Sequence, residues 1–268
     1  MSGSAVAVAD LHYSYPDGVA ALRGASLTAD PGEAVGLLGP NGAGKSTLLL
    51  HLNGILGSNG SVSVDGAPLS PANLPAIRQR VGLVFQDPDD QLFMPTVFDD
   101  VAFGPRNLGH DSATVEARVR SALATVGMAG TESRPPHHLS VGQKKRVALA
   151  TVLVMDCSVL VLDEPTAGLD PRGRREIIDL LQSLPQTKIL ATHDMALAWE
   201  LCQRVVILDE GQVVAAGPTR DVLRDEKLLA QHGLELPALL GHSGATGCVL
   251  LQSAFLTAGE NWHGNCDG

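Results

Sequence analysis

An α/β fold with a mostly parallel sheet, an antiparallel β subdomain at the N-terminus and an inserted helical subdomain is predicted by three observations. Short unbroken apolar runs alternate with helix-like segments: EAVGLLG at 33–39, VGLVF at 81–85, VLVL at 159–162, KILAT at 188–192 and RVVILD at 204–209. Runs of that kind belong to parallel strands buried on both faces. Residues 5–11 and 20–28 instead alternate apolar and polar positions around the turn YPDG, as half-buried antiparallel strands do. The block at about 87–155 reads as mostly helical and interrupts the strand–helix alternation.

The elements follow in order from these patterns. The strand at 33–39 ends in glycine and enters a helix beginning near Lys45, which makes the first βα unit. A short strand, SVSVDG at 61–66, precedes a helix near 73–80, and helical patterns then cover 97–104, 113–126 and 140–155. Further helices start after Pro171 and after Asp194, residues suited to helix starts. Beyond Gly217 the segment PTRDVLRDEKLLAQHGLELPALL predicts one peripheral helix with a short hydrophobic end. One domain thus spans 5–235, and residues 236–268, which carry no sustained period, are expected to form a flexible tail.

Bulk composition narrows the class. With 268 residues, 44% of them hydrophobic and 18% charged, the chain is long enough for a large core and is not compositionally disordered. A net charge of -10 argues against a broad surface for nucleic acid or anionic lipid. No apolar run approaches the roughly 18 to 20 residues that span a bilayer. The N-terminal segment MSGSAVAVADLHYSYPDG has no basic stretch leading into an apolar one. The expected location is the cytosol, unless a partner holds the chain at a membrane. Cys157, Cys202, Cys248 and Cys266 lack metal-site spacing and read as reduced thiols.

The chemistry begins at GPNGAGKST, residues 39–47, which fits the phosphate-loop pattern GxxxxGK[ST] in its required strand-to-helix setting. Gly39, Pro40, Asn41, Gly42, Ala43 and Gly44 form the loop. Gly42 and Gly44 let successive N–H groups turn inward, so that a polyphosphate can sit on them at a helix start. Lys45 is suited to neutralise β and γ phosphates, and Ser46, followed by Thr47, offers a hydroxyl to Mg²⁺. In VLVLDEP, Asp163 and Glu164 close a buried strand, at the edge where parallel sheets present ligand groups. Asp163 fits a metal shell, and Glu164 can polarise an attacking water as general base. His193 follows KILAT and falls on the same edge.

The order of Tyr15, GPNGAGKST, Gln86, LSVGQ at 139–143, LVLDEP at 160–165, AGLD at 167–170 and His193 resembles the ATP-binding subunits of ABC transporters over about residues 5–235. LSVGQ decides the resemblance, because many NTPases share a phosphate loop while this motif at a helix start is largely particular to ABC ATPases. The resemblance implies a P-loop NTPase (ABC ATPase) fold, ATP hydrolysis, and ATP with Mg²⁺ as ligands. It implies that Tyr15 stacks on adenine, that Gln86 lies near Mg²⁺ and the attacking water, and that His193 contacts the γ-phosphate. It also implies a second ABC ATPase subunit, the same chain or a paralogue, whose phosphate loop faces Ser140, Gly142 and Gln143. Asp170 would lie along that seam. Val141 departs from the commoner LSGGQ, and valine, lacking glycine's backbone freedom, is expected to hinder close approach.

The run DPDDQLF after Gln86, with LSVGQKKRVALA and YSYPDGVAALRG, most resembles the ATPases of energy-coupling-factor importers, which take up vitamins or cobalt and nickel ions. That resemblance implies a transmembrane coupling subunit, a substrate-binding membrane protein and a peripheral position on the cytoplasmic face of the membrane. Asp87, Asp89 and Asp90 would meet basic coupling helices, with Leu92 and Phe93 as apolar anchors; a solvated acidic turn is the plainer alternative. Another ABC transporter, an exporter or an importer fed by a binding protein, stays open. A soluble ABC ATPase acting on nucleic acid would need a long insertion. Only 118 positions separate Lys45 from Asp163, and they show no heptads, so nucleic acid is not an expected partner.

Overall fold

A computed structural model describes residues 4–57 and 62–234. The predicted tail at 236–268, and residue 61 of the predicted strand at 61–66, lie outside the described residues. Strands β1 (Val6–Ser14) and β2 (Ala20–Ala29) pair antiparallel, and β3 (Ala34–Leu38) leads into α1 (Lys45–Leu52). Short strands β4 (Val62–Val64) and β5 (Ala67–Pro68) precede α2 (Leu74–Arg80) and β6 (Val81–Val84). Helices α3 (Val97–Asn107), α4 (Ser112–Thr125) and α5 (Val141–Leu153) follow. The chain then alternates through β7 (Val159–Asp163), α6 (Pro171–Ser183), β8 (Thr187–Ala191), α7 (Met195–Leu201) and β9 (Arg204–Asp209). It continues with β10 (Gln212–Pro218), α8 (Thr219–Val222) and α9 (Glu226–Gln231).

Two sheets result. The smaller runs β2-β1-β4-β5 and is antiparallel; the larger runs β10-β9-β3-β8-β7-β6, with only β10 antiparallel to its neighbour. Alternate residues of the large sheet feed two cores. Leu38, Leu160, Leu162 and Leu190 pack under the helices α3 to α7, whereas Val35, Leu37, Val159, Val161 and Ile189 pack against α1 and the antiparallel sheet. Burial on both faces explains the unbroken apolar runs in the sequence. It also leaves the carboxyl-end loops of β3, β6, β7 and β8 on one edge, as parallel pairing requires.

Three details differ from the sequence expectation. The chain after β9 turns back as β10, an edge strand whose residues are alternately exposed and half-buried and whose apolar run is only VVAA before Gly217 and Pro218. The helix starting at Val97 passes the predicted stop at Gly104 and carries Pro105 in its last turn, with the ring buried and without the N–H that would reach back one turn. The single helix predicted after Gly217 is two helices, because Asp225 caps the second by accepting from the Leu228 N–H.

Asp100 of α3 is buried, and its Oδ1 accepts from the N–H groups of Phe93 and Met94, both at 3.0 Å. Its Oδ2 has no partner among the described residues, and burial pushes its carboxyl above the usual carboxylate range. A raised folded-state pKa gives stability that is complete at low pH and is lost as pH rises through the folded value. Asp100→Asn keeps the accepting oxygen without the charge. Between about pH 3 and pH 7 the stability difference, read from urea midpoints, should therefore move in favour of the variant. A pH-independent difference would show that the burial of this charge is not felt.

Candidate active site

The loop between β3 and α1 is shaped by glycine. Gly39 (φ 150°) and Gly44 (φ 101°) have left-handed or open backbones, and a Cβ at either would run into the carbonyl of Leu208 or of Ala21. The Lys45 side chain is buried, and its Nζ donates to the carbonyls of Gly39 (2.7 Å) and Pro40 (2.9 Å), clasping the loop. Burial lowers its pKa, and the charges of Glu164 and Asp163 oppose that shift. Ser46 is exposed at the rim. Thr47 Oγ1 shares a hydrogen bond of 2.9 Å with the Tyr15 hydroxyl, and the Tyr15 ring meets Tyr13 edge-on at 5.1 Å.

A cleft of about 310 Å³ gathers Tyr15, Asn41, Gly42, Gly44, Lys45, Ser46, Thr47, Gln86, Asp163 and Glu164. Gly39, Pro40 and Ala43 form the turn around it, with Ala43 buried. Asp163 ends β7, opposite Ala191 of β8. Burial raises its pKa, the neighbouring Ser46 hydroxyl pulls it back, and the Glu164 charge pushes it up further. Ser46, Gln86 and Asp163 bring side-chain oxygens to the lining of this cleft, the hard-donor chemistry that Mg²⁺ prefers. Among the described residues there is no group of three His, Cys, Asp or Glu side chains that could hold a metal ion.

Glu164 is buried and takes a left-handed backbone, φ 44°, unusual for a residue with a side chain. Its N–H donates to the Ala191 carbonyl (2.9 Å), and its Oε2 accepts from the Thr192 hydroxyl (3.0 Å). Oε1 accepts from the His193 N–H (3.0 Å) and lies 2.7 Å from His193 Nδ1. His193 therefore joins the cleft through Glu164. Sequence reading missed two contributors, Thr192 and Lys145. The buried Lys145 donates to the carbonyls of Gln86 and Glu164, both at 3.0 Å. The available signal was spacing: Lys145 precedes Ala148 and Leu149 of α5 by three and four residues, which puts it on the buried stripe.

Ser140, Gly142, Gln143 and Asp170 do not join this cleft. They line a separate hollow of about 440 Å³ that shares no residue with it. Ser140 caps α5: its Oγ accepts from the Gln143 N–H while Gln143 Oε1 accepts from the Ser140 N–H. Asp170 caps α6 by accepting from the Gly173 N–H at 2.7 Å. Val141 is the first helical residue, exposed, with no positive φ. Its backbone is helical, a conformation that needs no glycine.

The acidic run after Gln86 corrects the expected docking surface. Leu92 is 7% exposed and belongs to the core under the helices, so it cannot be an anchor, whereas Phe93 is 65% exposed. A 3₁₀ turn at Pro88–Asp90 causes this split by rotating Leu92 inward. Asp89 is already paired with Lys144 Nζ (2.7 and 2.9 Å), and Asp87 accepts from the Asp89 N–H, which leaves Asp90 as the carboxylate of the three that is unengaged among the described residues. Gln91 faces inward. It accepts from the Phe85 N–H (3.2 Å) and donates to Ala148 O (2.9 Å) and Thr151 Oγ1 (2.7 Å) of α5.

A phosphate loop, an acid pair at the end of β7 and a separate capped helix start mark a nucleotide-hydrolysing domain. Comparison with known proteins agrees: the family model for the ABC transporter matches residues 22–167. A Gloeobacter violaceus protein provisionally named an ABC transporter ATP-binding protein is 58% identical over 237 residues, 87% of this chain and 97% of the relative. The energy-coupling factor transporter ATP-binding protein EcfA of Methanothermobacter thermautotrophicus is 50% identical over 234 residues, 85% of this chain and 75% of the relative. The solved structure of cbiO1 from Clostridium perfringens, part of the ABC transporter complex cbiONQ, superposes with a TM-score of 0.75 at 41% identity. That superposition covers 88% of this chain and 97% of cbiO1. The chain belongs to the ABC transporter family and is an ATP-hydrolysing ATPase subunit.

Lys45→Ala should weaken ATP binding by about tenfold or more, since one charge-assisted phosphate contact is lost. Titration with a fluorescent nucleotide checks this, and unchanged affinity would remove Lys45 from the phosphate site.

Proposed function

We propose that this chain is the ATPase of an energy-coupling-factor type importer, driving uptake of a vitamin or a cobalt or nickel ion by closing against a second ATPase subunit. The observation that carries the paired mechanism is the separation of the two polar hollows. A nucleotide on the phosphate loop of one subunit can meet a helix start like that of Ser140 only if another subunit brings it. The N-terminus of α5, with its positive dipole end and the Ser140 hydroxyl, suits a γ-phosphate.

In this reading the loop amides and Lys45 hold the polyphosphate, and Tyr15 stacks on the base. Ser46, Asp163 and Gln86 hold Mg²⁺, which when bound offsets phosphate charge. Glu164 accepts the proton of the attacking water as its oxygen bonds to the γ-phosphorus and the bond to ADP breaks. Thr192 fixes one carboxylate oxygen of Glu164, and His193, with Nδ1 on the other, has Nε2 left for the γ-phosphate. Asp170 lies along the seam between subunits.

The importer type is supported by likeness to EcfA and cbiO1 and by an apolar face next to the Gln86 loop. Phe93 meets Phe103 edge-on at 5.3 Å, and both are exposed. Met155, which packs on Gly104 of α3, lines with Ile55, Phe85 and Val152 a groove of about 250 Å³. Asp90 and this apolar face suit a coupling helix bearing arginine and apolar side chains. No helix among the described residues is long and apolar enough to cross a membrane, so the chain would sit peripherally on the cytoplasmic face, with cargo bound by a separate membrane protein.

Glu164→Gln should slow ATP hydrolysis by roughly 10² to 10⁴ while ATP still binds; native turnover in a phosphate-release assay would refute the base assignment. Phe93→Asp should release the membrane subunits from a detergent pull-down without changing ATP affinity. Retention of a transporting complex would exclude this face as the docking site, and recovery of a soluble binding protein would point to another importer class.

A further inference from the structure

Pairing between β6 and β7 ends at Val84↔Leu162. Two residues beyond that rung, where both chains have left the strands, come Gln86 and Glu164, whose carbonyls lie within reach of a single side chain. Lys145 reaches both from α5, at 3.0 Å each, with a side chain only 5% exposed. It closes the gap that the sheet leaves open.

Glu164 is held on its other sides by β8 and the residues after it: its N–H by Ala191 and its carboxylate by Thr192 and His193. Its carbonyl accepts from the Ala167 N–H (3.1 Å) in the turn that follows and from Lys145, the side chain that reaches it from the helical layer. An unusual left-handed residue needs surroundings that over-determine it, and this bond completes them. An ammonium suits the position. It supplies several donors from one atom, and its charge stands among the carboxylates of Glu164, Asp87 and Asp163.

We propose that Lys145 is a positioning residue for hydrolysis: from the helix that Ser140 caps, it fixes the main chains of Gln86 and Glu164 and thereby aims the Glu164 carboxylate. A shift of α5, whose first turn would meet the partner's nucleotide, then changes the aim of the general base in the subunit's own cleft. The inference rests on the reading of Glu164 as that base.

The test is a double-mutant cycle in the full-length chain, purified with the subunits it assembles with. Lys145→Met should lower kcat at least about tenfold while KM for MgATP stays within about twofold. In a Glu164→Gln background the same change should cost less than about twofold, because a residue acting through Glu164 has nothing left to aim. If Lys145→Met does not fold, Lys145→Gln serves in its place. Native kcat in the Lys145 variant, with Glu164→Gln inactive, overturns this inference alone. An equal loss in both backgrounds also overturns it, because Lys145 then acts by another route. Native turnover in Glu164→Gln removes the base assignment itself, and the inference falls with it.

Discussion

The parallel pairing of β3, β8, β7 and β6 is the constraint on which the rest of the molecule depends. It forces the phosphate loop, the Asp163–Glu164 pair, Thr192–His193 and Gln86 to leave the sheet at one edge. Glu164 then turns through a left-handed backbone, which costs of order 1 to 3 kcal/mol and lets its carboxylate meet Thr192 and His193 instead of continuing the strand. Four loops far apart in sequence become one cleft because a single hydrogen-bonded register holds them there.

A second tier of contacts ties that edge to the helices. Gln91 links Phe85 to α5 with part-buried hydrogen bonds, worth roughly 0.5 to 1.5 kcal/mol each. The Asp89–Lys144 pair looks stronger on paper but is largely solvent-exposed on the Asp89 side, so screening holds it below about 1 kcal/mol. The joint between the Gln86 loop and α5 therefore depends more on Gln91 and Lys145 than on the visible ion pair. Phe93 is exposed just beyond Gln91, so the apolar face begins two residues from a side chain bonded to α5.

Much of this was legible in the sequence, for physical reasons. Strands buried on both faces must be apolar throughout, so β3, β6, β7, β8 and β9 announced themselves, and the glycines of the phosphate loop mark conformations other residues resist. The half-exposed edge strand β10 gave no such signal. Leu92 and Phe93 are adjacent and equally apolar, and only the 3₁₀ turn at Pro88–Asp90 sends one inward and leaves the other outside. Lys145 and Thr192 were missed because a lysine after a motif reads as solvated and a threonine at a strand end reads as backbone. Their roles come from partners across the sheet edge, which no local pattern displays.

In the proposed mechanism the cleft on one subunit is chemically incomplete until a second ATPase subunit supplies its capped helix start. The most direct measurement is ATP turnover per chain on progressive dilution, with association state followed by sedimentation over the same range. Turnover per chain should fall toward zero as the population becomes monomeric. Turnover that stays constant into the purely monomeric range would contradict it.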